Sequence, residues 1–254
     1  MHELVIRNFE LHATRIPSLS RAMEVYDENG ITYVDSGLSC DTFNIIHINR
    51  SDIEENAISK AVNHFRSKQF EFCLWANDQF ITSELRTELE SLDLSEQSSE
   101  VGMVLDLDHY RPDNDSDDER IKQVKSDSEM QVYAQTIAKN WSPMDQNVVT
   151  YYDLTSQLYL DPSNGIELFI YYHEGEPVST VELFATDHTT VGLYGFTTLE
   201  AYRGLGIGSA LMRHSLNRAK HLGFKQAILQ ATEDGIGIYK KMGFEAINKY
   251  YEYG

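Results

Sequence analysis

Tyr194-Gly195-Phe196-Thr197-Thr198-Leu199-Glu200-Ala201-Tyr202-Arg203-Gly204-Leu205-Gly206-Ile207-Gly208-Ser209 is the segment with the most chemistry in it. A strand-like run enters three glycines at alternate positions, and a helical pattern begins at once. Glycines admit positive φ and let main chain approach a ligand with no Cβ in the way. The free N–H groups of a helix's first turn then face that ligand, backed by the positive end of the helix dipole. Such a loop suits an anion, and a diphosphate is the natural fit. No Asp or Glu occurs between Ala201 and Thr232, where Arg203, Arg213, Arg218, Lys220 and Lys225 lie. For Arg213 and Arg218 taken singly, the solvated face of a helix explains the charge equally well.

Other phosphate and metal motifs are absent. The chain has no Gly-x4-Gly-Lys-Ser/Thr, and Gly204-Leu205-Gly206-Ile207-Gly208 lacks the Gly-x-Gly-x-x-Gly spacing of a dinucleotide fold. It has no His-Glu-x-x-His and no Cys-x-x-Cys, and His214 and His221 are seven apart without companions, so no metal is expected.

The elements that must position the loop can be read around it. Ser126 and Glu129 form a capping-box pattern ahead of Met130, Tyr133, Ala134 and Ile137 at helical spacing. Strands are predicted at 121–125, 166–172, 177–185, 189–198, 225–231 and 244–253, with a hairpin turn at 173–176. Helices are predicted at 209–222 and 235–241. The order β-α-β-β-β-loop-α-β-α-β is an α/β class with a mixed sheet. The first half predicts a helix near 18–28, strands at 31–34, 42–48, 70–76 and 101–107, and a second helix boxed by Ser51 and Glu54. It has no glycine loop.

The whole chain has 254 residues and a formal charge of −19. Residues 1–120 hold 25 acids against 10 bases, and 121–254 hold 15 against 11. An acidic stretch from Asp106 to Arg120, with Pro112 and almost no apolar residues, reads as a solvated linker. The expected division is 1–108, a linker at 109–120, and 121–254. The charge disfavours nucleic acid and anionic membranes as partners. No apolar run approaches the ~20 residues of a membrane span, and the opening segment has no signal-peptide core. Cys40 and Cys73 are expected as buried free thiols, and the location as cytoplasmic. Trp75 and Trp141 are expected in the core or at a domain contact.

Arg203-Gly204-Leu205-Gly206-Ile207-Gly208 resembles the Arg/Gln-x-x-Gly-x-Gly/Ala signature of the GCN5-related N-acetyltransferases, the GNAT superfamily. Ile238-Tyr239-Lys240-Lys241-Met242-Gly243-Phe244, about 30 residues on, is similar to that family's Leu-Tyr-Glu-Lys-Leu-Gly-Phe element. The resemblance covers 121–254. Gly37–Asn44 and Phe70–Trp75 resemble the degenerate first half of two-part GNAT proteins, a smaller α/β unit.

The resemblance implies an N-acetyltransferase that uses acetyl-CoA as co-substrate and a primary amine of a small molecule as acceptor. A polyamine, an aminoglycoside or a lysine-like amine would suit the acidic first half. Arg203, Gly204, Leu205, Gly206, Ile207, Gly208 and Ser209 would hold the pyrophosphate. Phe196, Thr197 and Thr198 would offer main-chain groups to the pantetheine arm, and Thr232 and Tyr239 would complete the cofactor site. Tyr239 would protonate the departing thiolate, although a packing role also fits one of fifteen tyrosines. Glu182 would take the amine proton, with Glu200 and Asp187 as other candidates. Thr232 and Gly235 stand where the family often has Asn and Ala, and Thr198 and Glu200 where it often has Val and Pro. The alternative function is a non-catalytic acyl-CoA sensor or scaffold. A monomer and a homodimer are both compatible with the sequence.

Overall fold

Residues at the start of the chain form a helix that the sequence pattern did not reveal, α1 (His2–Leu19), with Val5, Phe9 and Ile16 buried. The computed structural model describes residues 1–111 and 118–254 and parts them into two units. The first unit comprises Met1–Met103, Gln230–Gly237 and Ala246–Gly254, and the second Val104–Leu229 and Ile238–Glu245.

In the first unit, the helix expected near 18–28 is not formed. Glu24–Glu28 is a strand, β1, paired antiparallel with β2 (Ile31–Asp35). Asn29 and Gly30 connect them at φ 57° and 86°, the two-residue turn that Asn-Gly favours between strands. β3 (Ile45–Ile48) begins three residues later than expected, because Phe43 and Asn44 are held in a turn by the carbonyl of Cys40. The Ser51/Glu54 box does not open the next helix. α2 (Ala57–Lys68) is capped by Asn56 in the left-handed region with no side-chain bond. β4 (Cys73–Asn77) runs parallel to β3, and α3 (Ser83–Ser91) follows, capped by the Thr82 hydroxyl on the Leu85 N–H. β5 (Glu96–Asp106) leaves the unit at Met103. Cys40 and Cys73 are buried and free.

Beyond residue 120 the chain follows the predicted order with one addition. β6 (Ile121–Gln123) leads into α4 (Asp127–Ala138). The Ser126 hydroxyl accepts from the Glu129 N–H, and the Glu129 carboxylate accepts from the Lys125 N–H. α5 (Gln146–Leu160) was not legible from the pattern. β7 (Ile166–His173), β8 (Glu176–Ala185) and β9 (Thr190–Thr198) form an antiparallel meander with β6. α6 (Ile207–His221) crosses to β10 (Gln226–Ala231), which pairs parallel to β9. A parallel neighbour requires such a crossover. α7 (Glu233–Lys241) and β11 (Glu245–Tyr253) end the chain. Strand order is β1-β2-β3-β4-β11 in the first unit and β10-β9-β8-β7-β6 in the second.

Pro112, Asp113, Asp115 and Asp117 of the expected linker lie outside the described residues. The flanks of that stretch are anchored within the second unit: Lys220 Nζ donates to the carbonyls of Leu107 and Tyr110, and Lys225 pairs with Asp108 at 3.0 Å. Trp141 is 41% exposed rather than in the core.

Candidate functional site

The site grows from a fault in β9. The β8–β9 register shifts between Thr180 and Glu182, so Thr180 opposes Thr197 while Glu182 opposes Tyr194. Gly195 and Phe196 together face Val181, one extra residue that makes a β-bulge. Gly195 has φ +53°, and a Cβ there would lie 2.7 Å from the Tyr133 hydroxyl. Thr180 Oγ1 donates to the Gly195 carbonyl at 2.8 Å, and Thr197 Oγ1 donates to Asn140 Oδ1 at 2.6 Å. The parallel ladder with β10 runs from Gln226↔Thr190 to Ile228↔Gly192, and Phe196–Thr198 lie beyond it.

β9 then passes through a 3-10 turn at Glu200–Tyr202 into the glycine loop. Arg203 Nε donates to the Thr198 carbonyl at 3.0 Å, tying the loop to the strand end. Gly206 caps α6 at φ +79°, with no side chain filling the space before the first turn. The N–H groups of Ile207, Gly208 and Ser209 precede the first intrahelical bond, from Ala210 to the Gly206 carbonyl. No acid stands in that turn. Gly208 is needed for a different reason: its Cβ would stand 3.2 Å from Thr198 Oγ1 and 3.5 Å from Phe196 Cζ. The helix start and the strand end approach each other there, and a side chain would push them apart. Loop, first turn and strand end make a cradle suited to a diphosphate with an extended arm, so the residues present fit CoA.

The positive window is narrower in space than in sequence. Arg218 is held by both oxygens of Glu167, at 2.8 and 2.6 Å, and Lys220 and Lys225 point to the residues after β5. Arg203 remains with the loop, exposed. Three of the five cations are therefore engaged away from the loop, where the helix N-terminus and Arg203 remain.

Tyr239 is half-buried on α7, its ring centroid 6.3 Å from Phe196 and 5.9 Å from Phe244. Cradle and phenol are thus brought together in the second unit by way of Phe196. Thr232 belongs to the first unit; it is exposed, and its carbonyl accepts from the N–H groups of Gly235 and Ile236 at the start of α7.

Of the three candidate bases, only Glu182 is buried, at 2% exposure. It opposes Leu168 on β7 and Tyr194 on β9. Asp187 is spent on a turn, its Oδ1 accepting from Thr189 and Thr190 main chain and the Thr189 hydroxyl. Glu200 is exposed. Tyr133, Tyr151, Tyr152 and Tyr159 pack together on α4 and α5, with Tyr133–Tyr152 centroids at 5.4 Å and Tyr152–Tyr159 at 5.2 Å. Burial, and then the charge of Glu182 among other neighbours, holds their phenols well above the ordinary tyrosine range. Sequence reading missed this cluster because α5 was not recognised; the Tyr151-Tyr152 pair was visible only as composition. Among the described residues, no group of three or more His, Cys, Asp and Glu could hold a metal, and no helix is long and apolar enough to cross a membrane.

The pattern of the acetyltransferase (GNAT) family matches residues 134–244. The uncharacterized N-acetyltransferase YjgM of Escherichia coli (strain K12) is 28% identical over 134 residues, covering 50% of this chain and 74% of that protein. In fold, the chain is similar to a GCN5-related N-acetyltransferase from Kribbella flavida (TM-score 0.68, 14% identity), with 98% of this chain and 95% of that one covered. It is also similar to a tandem GNAT protein from the clavulanic acid biosynthesis pathway (TM-score 0.57, 11% identity), with 92% and 83% covered.

Proposed function

Because this chain belongs to the GNAT superfamily, we propose that it transfers an acetyl group from acetyl-CoA to a primary amine of a small, cationic acceptor by direct attack. The observation that carries the reading is the junction of Gly208 with Phe196 and Thr198, where the first turn of α6 meets the end of β9. Main-chain N–H groups of Ile207, Gly208 and Ser209, with Arg203 and the open loop at Gly204–Gly206, hold the pyrophosphate. Phe196–Thr198, beyond the β10 ladder, align the pantetheine arm as an added strand does. Acetyl-CoA supplies the activated acetyl group as a thioester.

A main-chain N–H at the Gly195 bulge polarises the acetyl carbonyl. Glu182 takes the proton that the amine loses as its C–N bond forms. Tyr239 gives its hydroxyl proton to the sulfur as the C–S bond breaks, and recovers one from solvent. Thiol and phenol have reference pKa values of about 8.5 and 10, so that transfer is nearly balanced. The buried carboxylate supports a cationic acceptor, as does the acidic first half of the sequence.

The test is release of free CoA thiol from acetyl-CoA in the presence of spermidine, lysine and an aminoglycoside. Thiol release above the amine-free rate is expected, decreasing as salt is raised and decreasing in Glu182→Gln. An amine panel that releases no thiol, from a protein that acetyl-CoA still stabilises against heat, would favour the sensor or scaffold instead.

A further inference from the structure

The second unit holds a cavity of about 450 Å3 at the end of its sheet opposite the bulge. Val191, which opposes Ala185, lines it. Gly195 lies four residues further along β9, roughly 13 Å away at strand rise, so the cavity is separate from the cofactor cradle. Its volume is in the range of small-molecule sites, which combine apolar walls with a few polar groups.

Leu183 and Val191, already buried, close the back of the cavity, Leu160 and Phe224 are half-buried along its walls, and Leu222 stands at the mouth, 45% exposed. Covering Leu160, Phe224 and Leu222 is the hydrophobic gain that an occupant would bring. The charged side chains at the rim are Lys125 and Glu167. Glu167 is neutralised by the two bonds from Arg218. Lys125 is exposed and engages Glu129 only through its main-chain N–H, so among the described residues its ammonium has no ion-pair partner. One free ammonium beside apolar walls matches one negative charge on an apolar body. A dianionic phosphate would need more donors than the rim has.

We infer that this cavity binds a compact aliphatic or aromatic carboxylate, its body against Leu160, Leu222 and Phe224 and its carboxylate at Lys125 Nζ. The site is independent of the acetyl-transfer reading, since neither wall nor rim uses a residue of the cradle.

Calorimetry on the full chain with octanoate and with octanol tests it. Octanoate binds more tightly than octanol, and saturating CoA leaves its affinity unchanged. Lys125→Ala weakens octanoate about fivefold, the effect of one exposed ion pair, and leaves octanol alone. Ala185→Phe fills the cavity from β8 and abolishes both. Should that variant unfold, Leu222→Glu places a like charge at the mouth and weakens octanoate more than octanol. Equal binding of the two probes, no octanoate binding at millimolar concentration, displacement by CoA, or indifference to Lys125→Ala overturns the assignment.

Discussion

The hydroxyl of Tyr133 stands 2.7 Å from the place a Cβ of residue 195 would occupy, and residue 195 is glycine. The helix side chain and the missing strand side chain claim one space. Tyr133 is fully buried, and its hydroxyl interacts with that of Tyr152. Gly195→Ala must both adopt positive φ and displace that hydroxyl, so it should lose about 2–4 kcal/mol in denaturant unfolding. On a Tyr133→Phe background the same substitution should cost at least 1 kcal/mol less, because the conflict is relieved. Tyr133→Phe alone should cost about 1 kcal/mol or less, the net contribution of one buried hydrogen bond. Strictly additive losses would show that the contact does not exclude the side chain.

Gly208 has an ordinary φ, and its demand is for space against Thr198 and Phe196. Gly208→Ala should move the first turn of α6 away from β9 and misalign the N–H groups that face the pyrophosphate. Losing alignment at one or two such bonds corresponds to about tenfold weaker acetyl-CoA binding. Leu205→Ala, in the exposed loop between two glycines, should leave affinity within twofold. Calorimetric titration of both variants distinguishes a close-approach glycine from general sensitivity of the loop.

Tyr239 lies against Phe196 and Phe244, so Tyr239→Phe keeps the ring contacts and removes the hydroxyl. We expect kcat for thiol release to decline tenfold or more with acetyl-CoA affinity unchanged. An unchanged kcat would assign Tyr239 to packing alone.

These positions differ in how far the sequence disclosed them. The cradle was legible because alternate glycines, a strand before them and an apolar helical stripe after them are local signals that tertiary context did not override. The capping box at Ser126 was legible for the same reason, whereas α2 starts only at Ala57, past the Ser51 box and with no side-chain cap. α1 and α5 were missed because their buried faces mix Asn8, Tyr151, Tyr152 and Thr155 with aliphatic residues, which blurs a helical stripe. The bulge is a relation between two strands, and no spacing within β9 states it. The five-cation window failed as a description of the site because three of its members are satisfied by Glu167, Asp108 and two main-chain carbonyls, partners distant in sequence.

A pH-sensitive carboxyl lies in the first unit. Burial on β5, then the charge of Glu252, pushes the Glu100 carboxyl from 4.5 up to about 7. A raised carboxyl pKa means that the folded state holds the proton more tightly than the unfolded chain does. Stability from this group is therefore complete below pH 4.5 and is lost as pH rises through 7, about 3 kcal/mol in all. Glu100→Gln mimics the protonated form at every pH. Its melting temperature should match wild type near pH 4 and exceed it at pH 8, with the gap opening between pH 5 and 7.5. Glu252→Gln removes the repulsion but not the burial, so it should recover only a fraction of that gap. A Glu100→Gln effect of equal size at pH 4 and pH 8 would place its origin in packing rather than in the buried charge.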